Sequence, residues 1–330
     1  MALNGERIWA ATVGWAEIEP QQAATVATIY RIGSTSKALT ATAMARLVDA
    51  DMLDLERPLA TYLDALPNAQ WGEMTPRMLA SHTAGLPGYY GNRDLWGVVQ
   101  TLHLGRRFTD VEQALDVFDA TPLLFEPGQG FHYSSFNTTL NAYLMQQLSG
   151  QAYPRLMQDW VFEPLAMSST QVEDQAHLPV TLAHFYRLYN NRVRPWRPTD
   201  LSVKWAGGGL LSTPSDLVRL GSAWLDPDFI SAATRERFWT PQLLANGEVN
   251  EQSYALGWRA SPTERFELAG QPLMAVHHGG VSNGAMSWLV IYPEIGLVVA
   301  LNMNTRIDVF RDFASAETRL TRLLLQQLGD

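Results

Sequence analysis

Ser34 and Lys37 stand three residues apart at the head of a run (Ala38, Leu39, Ala41, Ala43, Met44, Ala45, Leu47, Val48) that reads as a helix apolar nearly all round. Such a helix is buried, and the i, i+3 spacing puts both polar side chains on one face, within reach of each other. A serine hydroxyl is a poor nucleophile until a nearby base takes its proton. A lysine becomes that base when burial lowers its pKa, and a helix N-terminus also disfavours a cation. The same residues fit a serine N-cap followed by a surface lysine. Against that reading, the chain has two lysines in all, Lys37 and Lys204. Arginine fills the role of surface cation, and an interior lysine is costly unless paired or functional.

Further stretches fit the same chemistry. Tyr133-Ser134-Ser135 follows the turn Pro127-Gly128-Gln129-Gly130. A tyrosine beside a lysine exchanges protons if that cation lowers its pKa; the other reading is a capping serine and a packed ring. His277-His278-Gly279-Gly280 is expected to close a strand, with the two histidines on opposite faces. Glycines there admit a substrate backbone and free their N–H groups as oxyanion donors. The stretch 204–209, Lys-Trp-Ala-Gly-Gly-Gly, reads as a wall of the cleft. His82, inside a glycine- and proline-rich path over residues 82–88, reads as a structural hydrogen-bonder. Gly280-Val281-Ser282-Asn283-Gly284 matches the Gly-x-Ser-x-Gly elbow, which must join a strand to a helix. Residues 285–292 read as a strand, so Ser282 is set aside.

Composition narrows the classes. The 330 residues suffice for a large core, as one big domain or two intimately packed ones. An apolar content of 46% with 17% charged residues is that of a soluble globular protein. The net charge of −9, without a basic cluster, excludes a nucleic-acid partner. No apolar run reaches the ~18–20 residues of a membrane span, and no signal peptide is visible at the start. The absence of cysteine removes disulfides, zinc-thiolate sites and a cysteine nucleophile. The histidines lack metal-helix spacing, so neither metal nor cofactor is expected. Compartment and oligomeric state are left open.

The elements that must position these residues follow in order. Residues 6–16 read as a strand after an Asn4-Gly5 hairpin signal, although only Met1-Ala2-Leu3 precedes it as a partner. Helices are expected over 34–48, 76–81, 93–122, from Asn137 through Leu148 as an amphipathic helix, over 152–166, and over 213–226 behind a Ser212-Thr213 cap. Residues 203–210 look too glycine-rich for regular structure. Short strands are expected at 254–259, 266–269, 274–278, 287–292 and 296–302, then an amphipathic helix over 314–328. The fold class is α+β: one domain over 1–330, with an antiparallel sheet from about 1–33 and 240–330 and an inserted all-helical region over about 34–239.

With these pieces in order, the chain resembles the serine β-lactamase and penicillin-binding superfamily. The likeness is strongest to its class C-type branch, with the family VIII carboxylesterases and the mitochondrial serine β-lactamase-like proteins and their bacterial relatives. The matching stretches are 30–40 (Arg-Ile-Gly-Ser-x-x-Lys), 79–87 (Leu-Ala-Ser-His-Thr-Ala-Gly-Leu-Pro), 125–136, 205–217, 254–258 and 277–280. The resemblance implies a sheet flanked by helices, with the active site where sheet and helical region meet. It implies Ser34 as acylated nucleophile, Lys37 as its base or relay, Tyr133 as second proton shuttle, and the N–H groups of Ser34 and Gly280 as the oxyanion hole. His277 stands in the place of the lysine of a Lys-Thr-Gly strand motif. His278 takes the threonine's place, and Ser135 that of an asparagine that grips a substrate amide. Gly279 and Trp205 join them as substrate-binding residues. The lysine-to-histidine change removes a fixed charge and shifts the expectation from penicillins to small esters or peptide-like amides. A carboxylesterase comes first; a β-lactamase or D-Ala-D-Ala-type peptidase is the alternative. A catalytically silent or self-assembling scaffold is the reading from another class. The family's first helix and strand are not found ahead of residue 6.

Overall fold

The computed structural model describes residues 1–89 and 107–328. The main sheet is wholly antiparallel. In chain order its strands are β1 (Ala2–Leu3) and β2 (Glu6–Arg7), and later β10 (Arg259–Leu268), β11 (Gln271–Ser282), β12 (Ala285–Tyr292) and β13 (Leu297–Met303), with spatial order β10-β11-β12-β13-β1-β2. Short strands fill the gap in numbering: β3 (Trp15–Glu17), β4 (Gln22–Ala23), β5 (Tyr30–Arg31), β6 (Gln171–Val172), β7 (Tyr186–Tyr189), β8 (Arg192–Pro195) and β9 (Leu210–Ser212), with β14 (Thr305–Arg306) after β13.

Turn chemistry sets the registers. Asn4 and Gly5 both take positive φ, 49° and 84°, as do Ala269 and Gly270, 51° and 77°. That is the geometry whose twist suits a two-residue hairpin. The strand expected over 6–16 ends at Arg7, because β1 offers only two residues to pair with; regular structure resumes at Trp15.

The helices are α1 (Ser36–Asp49), α2 (Pro76–Ala80), α3 (Ser135–Ser149), α4 (Tyr153–Met157), α5 (Trp205–Gly208), α6 (Pro214–Ala223), α7 (Ala232–Trp239) and α8 (Phe310–Leu328). One face of the sheet packs on α6, where a Cβ on Gly221 would lie 2.5 Å from Val298. The other packs on α8 through Phe310 and Phe313 against Trp288 and its neighbours. Helix α1 is buried along almost its whole length, as its composition requires. Helix α3 is buried continuously from Phe136 to Met145 instead of being amphipathic; it runs between other elements rather than over a surface.

The middle of the chain is not all helix, since β6, β7, β8 and β9 lie within it and β9 pairs with β5. Of the helix expected over 93–122, residues 90–106 lie outside the described ones. Over 107–122 there is only a 3₁₀ turn, Leu115–Val117, in a series of turns that still buries Phe108, Val111, Ala114 and Phe118. Residues 203–210, expected to be irregular, form one turn of helix and the start of β9. Their glycines let α5 press on α3: a Cβ on Gly207 would lie 2.9 Å from that of Ser135. No helix among the described residues is long and apolar enough to cross a membrane.

Candidate active site

Ser34 lies in a 3₁₀ turn, Gly33–Thr35, that leads into α1, and is the one residue between Tyr30 and Ala45 that is not buried. Two glycines seat this turn on strand β11. Gly33 has φ +51°, and a Cβ there would meet the Val281 backbone at 2.7 Å; a Cβ on Gly280 would lie 1.9 Å from the Ile32 carbonyl oxygen. No rotamer change relieves a clash with backbone. Gly280→Ala is therefore expected to lower the thermal midpoint by several degrees, for an overpacking cost of about 1–3 kcal/mol or more, measured by calorimetry beside the wild type.

Lys37 is 2% exposed. Its Nζ donates to Ser135 Oγ at 2.9 Å and to the Gly207 carbonyl at 2.6 Å, and sits 4.8 Å from the centre of the Tyr133 ring. Burial pulls its pKa below the ordinary lysine value; Tyr133 opposes the shift and Arg259 adds to it. Tyr133 is presented by the extended residues before α3, whose cap, Ser134, accepts from the Phe136 N–H and donates to the Pro87 carbonyl at 2.6 Å. Ser34 and Lys37 both act on its hydroxyl. Burial alone would raise this phenol, but the Lys37 and Arg259 cations, with a smaller contribution from neighbouring Ser34, outweigh it and bring the pKa below the usual tyrosine value. His82, in the left-handed region at φ 63°, packs its ring 4.4 Å from Tyr133 and 4.6 Å from Tyr254. Its Nδ1 accepts from Asn137 at 3.1 Å, so it buttresses the tyrosine, as a structural hydrogen-bonder does.

Strand β11 runs past Gly280 to Ser282 instead of closing before it. Ser282 pairs with Ala285 across the two-residue turn Asn283-Gly284. That pair exchanges hydrogen bonds, and antiparallel pairs alternate. Hence His278, Gly280 and Ser282 turn their N–H groups toward β12. Those of Gly279 and Val281 face the other edge, which is open because β10 stops pairing at His277. The Met274 N–H, bonded to Glu294 on the β12 side, has the same parity as that of Gly280. The free donor beside Ser34 is thus Val281 N–H, not Gly280 N–H.

The same alternation separates the histidines. His277 faces α8, its ring 4.7 Å from Trp288, and burial with nearby Arg259 and Arg265 holds its pKa at about 3. Gly279 faces α8 as well; a Cβ there would touch Phe310 at 2.7 Å. His278 faces Tyr133 and Lys37. Its Nδ1 donates to the Gly279 carbonyl at 2.8 Å, which leaves Nε2 to accept from the Tyr254 hydroxyl at 3.0 Å. Burial and the Arg259 and Lys37 cations hold it well below the ordinary histidine pKa, so it is neutral.

This constellation of serine, lysine and tyrosine at the edge of a sheet agrees with the wider comparison, in which the Beta-lactamase family model matches residues 1–322. The chain belongs to the beta-lactamase family. It is 28% identical to the human (Homo sapiens) serine beta-lactamase-like protein LACTB, mitochondrial, over 89% of this chain and 68% of that protein. It is 27% identical to penicillin-binding protein 4* of Bacillus subtilis (strain 168), over 78% of this chain and 58% of that one. The crystal structure of a penicillin binding protein from Bacillus halodurans superposes with a TM-score of 0.76 at 22% identity, covering 93% of this chain and 90% of the other. The fold is that of the penicillin-binding and β-lactamase proteins, and the chain is a beta-lactamase-family serine hydrolase.

Other expected site residues of this family member lie elsewhere. Trp205 is buried, its Nε1 donating to the Glu173 carbonyl at 3.0 Å, so it backs the site rather than lining it. Ser135 faces Lys37 rather than open space. Ser282 lies in a hairpin, its buried hydroxyl without a partner to activate it. Among the described residues no group of three or more His, Cys, Asp or Glu is placed to hold a metal. Sequence reasoning missed two residues, Val281 and Arg259. The parity of β11, counted back from Asn283-Gly284, was the signal for the first; nothing in the sequence marked the second.

Proposed function

We propose that the chain hydrolyses small esters or peptide-like amides through an acyl-enzyme on Ser34, with esters as the least demanding substrates. The convergence of Ser34, Lys37 and Tyr133 at one place, with the buried Lys37 beside the Tyr133 ring and both Ser34 and Lys37 acting on the Tyr133 hydroxyl, carries the reading. The Lys37–Tyr133 pair takes the Ser34 proton as the serine oxygen bonds to the substrate carbonyl carbon. The carbonyl oxygen becomes an oxyanion between the N–H groups of Ser34 and Val281. Collapse expels the leaving group, which receives the proton through Tyr133. Water then adds to the acyl-serine, gives its proton to the same pair, and the acid leaves with Ser34 reprotonated. His278 itself is neutral, and a small ester needs no charge from it. A lysine at position 277 would face Trp288 and could not restore such a charge.

A fluorophosphonate probe tests this reading. It should label the chain once, and peptide mass spectrometry should place the adduct on Ser34. A chain left unlabelled would be a silent scaffold.

A further inference from the structure

The small sheet β14-β7-β8 carries one sign of charge across all three strands. Arg187 lies directly opposite Arg194 in the antiparallel pair of β7 and β8, and Arg306 of β14 lies opposite Arg187 on its other side. Residues opposite one another in a sheet share a face, so three arginines stand in a row. Arg192, two residues from Arg194, adds a fourth on that face. All four are exposed, and none has an ion pair among the described residues, unlike Arg31, Arg77, Arg107, Arg155 and Arg219. Aromatic rings steady two of them. The Arg187 guanidinium carbon lies 5.6 Å from the Tyr189 ring centre, and that of Arg306 lies 5.8 Å from the Trp196 ring centre. Like charges placed opposite each other destabilise a sheet. Charge also keeps an edge strand unpaired, but Arg187 is on the central strand, and the open edge of β8 already holds Pro195, which has no N–H. In a chain of net charge −9, a self-repelling row of cations calls for an anionic partner.

The same hairpin is apolar on its reverse. Leu188 and Val193 pair across it and are 40% and 48% exposed. Asn190 and Asn191, both at positive φ, close it as a tight two-residue hairpin, so its end is fixed in shape. Val180, wholly exposed, lines one groove with Val193. We propose that this hairpin, with Arg306, docks the chain on the surface of a membrane that contains anionic phospholipids. The arginines reach the phosphate groups, while Leu188, Val193 and Val180 enter the apolar side of the headgroup zone. An acidic peptide added as a strand fits less well, since Pro195 interrupts the donors of the open edge. A single-stranded nucleic acid needs aromatic faces for its bases. Guanidinium groups already cover one face of Tyr189 and one of Trp196, and the exposed Leu188, Val193 and Val180 would have no role. None of these residues is among those placed around Ser34, so docking and catalysis can be tested separately.

Co-sedimentation of the whole chain with phosphatidylcholine vesicles, with and without about 30% phosphatidylserine, is the test. Binding should require the anionic lipid and weaken about tenfold or more between about 50 and 200 mM salt. Arg187→Gln combined with Arg194→Gln should weaken it about ten- to thirtyfold. Arg57→Gln combined with Arg155→Gln changes the net charge equally and should leave it unaltered. Leu188→Ser combined with Val193→Ser should weaken binding while its salt dependence stays. The variant lacking Arg187 and Arg194 should keep or raise its thermal midpoint, because like charges are relieved; lost docking is thereby told apart from unfolding. Equal losses in the two arginine pairs overturn the proposal, and so does binding that ignores Leu188 and Val193. Arginine-dependent binding of a single-stranded RNA oligonucleotide or of polyglutamate, with none to the vesicles, would also overturn it and give the row to that polyanion. Failure to bind the anionic vesicles even at about 50 mM salt ends it outright.

Discussion

Ser34→Ala should lose about four to six powers of ten in kcat toward p-nitrophenyl acetate, because a nucleophile removed from a mutually dependent set costs as much as losing the set. The fold should survive. Ser34 is the partly exposed residue of an otherwise buried stretch, and its hydroxyl acts on that of Tyr133. A change of this kind shifts stability by about 0.5 kcal/mol or less, so circular dichroism and the thermal midpoint should match the wild type. Ser282→Ala is the control. The Ser282 hydroxyl is buried without a partner, and its loss should leave most of the activity and, if anything, a slightly more stable chain. The comparison is made on kcat and on the burst of nitrophenolate under single-turnover conditions. A Ser34→Ala chain that still shows a burst, or a Ser282→Ala chain that loses it, would reverse the assignment of the nucleophile.

The parts of the site that were legible in the sequence are those carried by local spacing. Ser34 and Lys37 sit on one helical turn, and the scarcity of lysine marked Lys37 as unusual before any packing was known. The hairpin at Asn4-Gly5 was legible because glycine and asparagine chemistry is local. What failed was register. Shifting a strand by one residue exchanges its faces, and the adjacent pairs His277-His278 and Gly280-Val281 invite that slip. Motif matching placed the site-facing histidine and the free N–H beside Ser34 one residue early. The hydrogen-bond alternation of β11 with β12 and β10 corrects both at once. Arg259 was invisible for a different reason. It reaches the site from the first residue of β10, and only the meeting of β10, β11 and the residues before α3 brings its guanidinium over Tyr133. The broken helix over 107–122 failed differently again: apolar residues three and four apart are satisfied by successive turns as well as by one helix.

The Lys37–Tyr133 pair makes the most discriminating demand on the mechanism, because each group sets the other's proton affinity. Burial lowers the Lys37 pKa and Tyr133 partly restores it. Burial would raise Tyr133, and the Lys37 and Arg259 cations bring it down. A pair that accepts the Ser34 proton must have lost one of its own, so kcat/KM should rise with pH and level off above an apparent pKa that belongs to the pair. That value should lie below the ordinary values of about 10 for tyrosine and 10.4 for lysine. Tyr133→Phe removes the phenol that props up Lys37; activity should drop by about 10²- to 10⁴-fold, and the rising limb of what remains should move to lower pH. Lys37→Met removes a cation that holds Tyr133 down; it should cost a similar factor and move the limb to higher pH. Because the two act as one unit, the double variant should be little worse than the poorer single one. Steady-state pH profiles of the three variants on one neutral ester contain the whole test. Limbs that move in the same direction, or losses that multiply in the double variant, would mean that Lys37 and Tyr133 serve separate steps and do not share a proton.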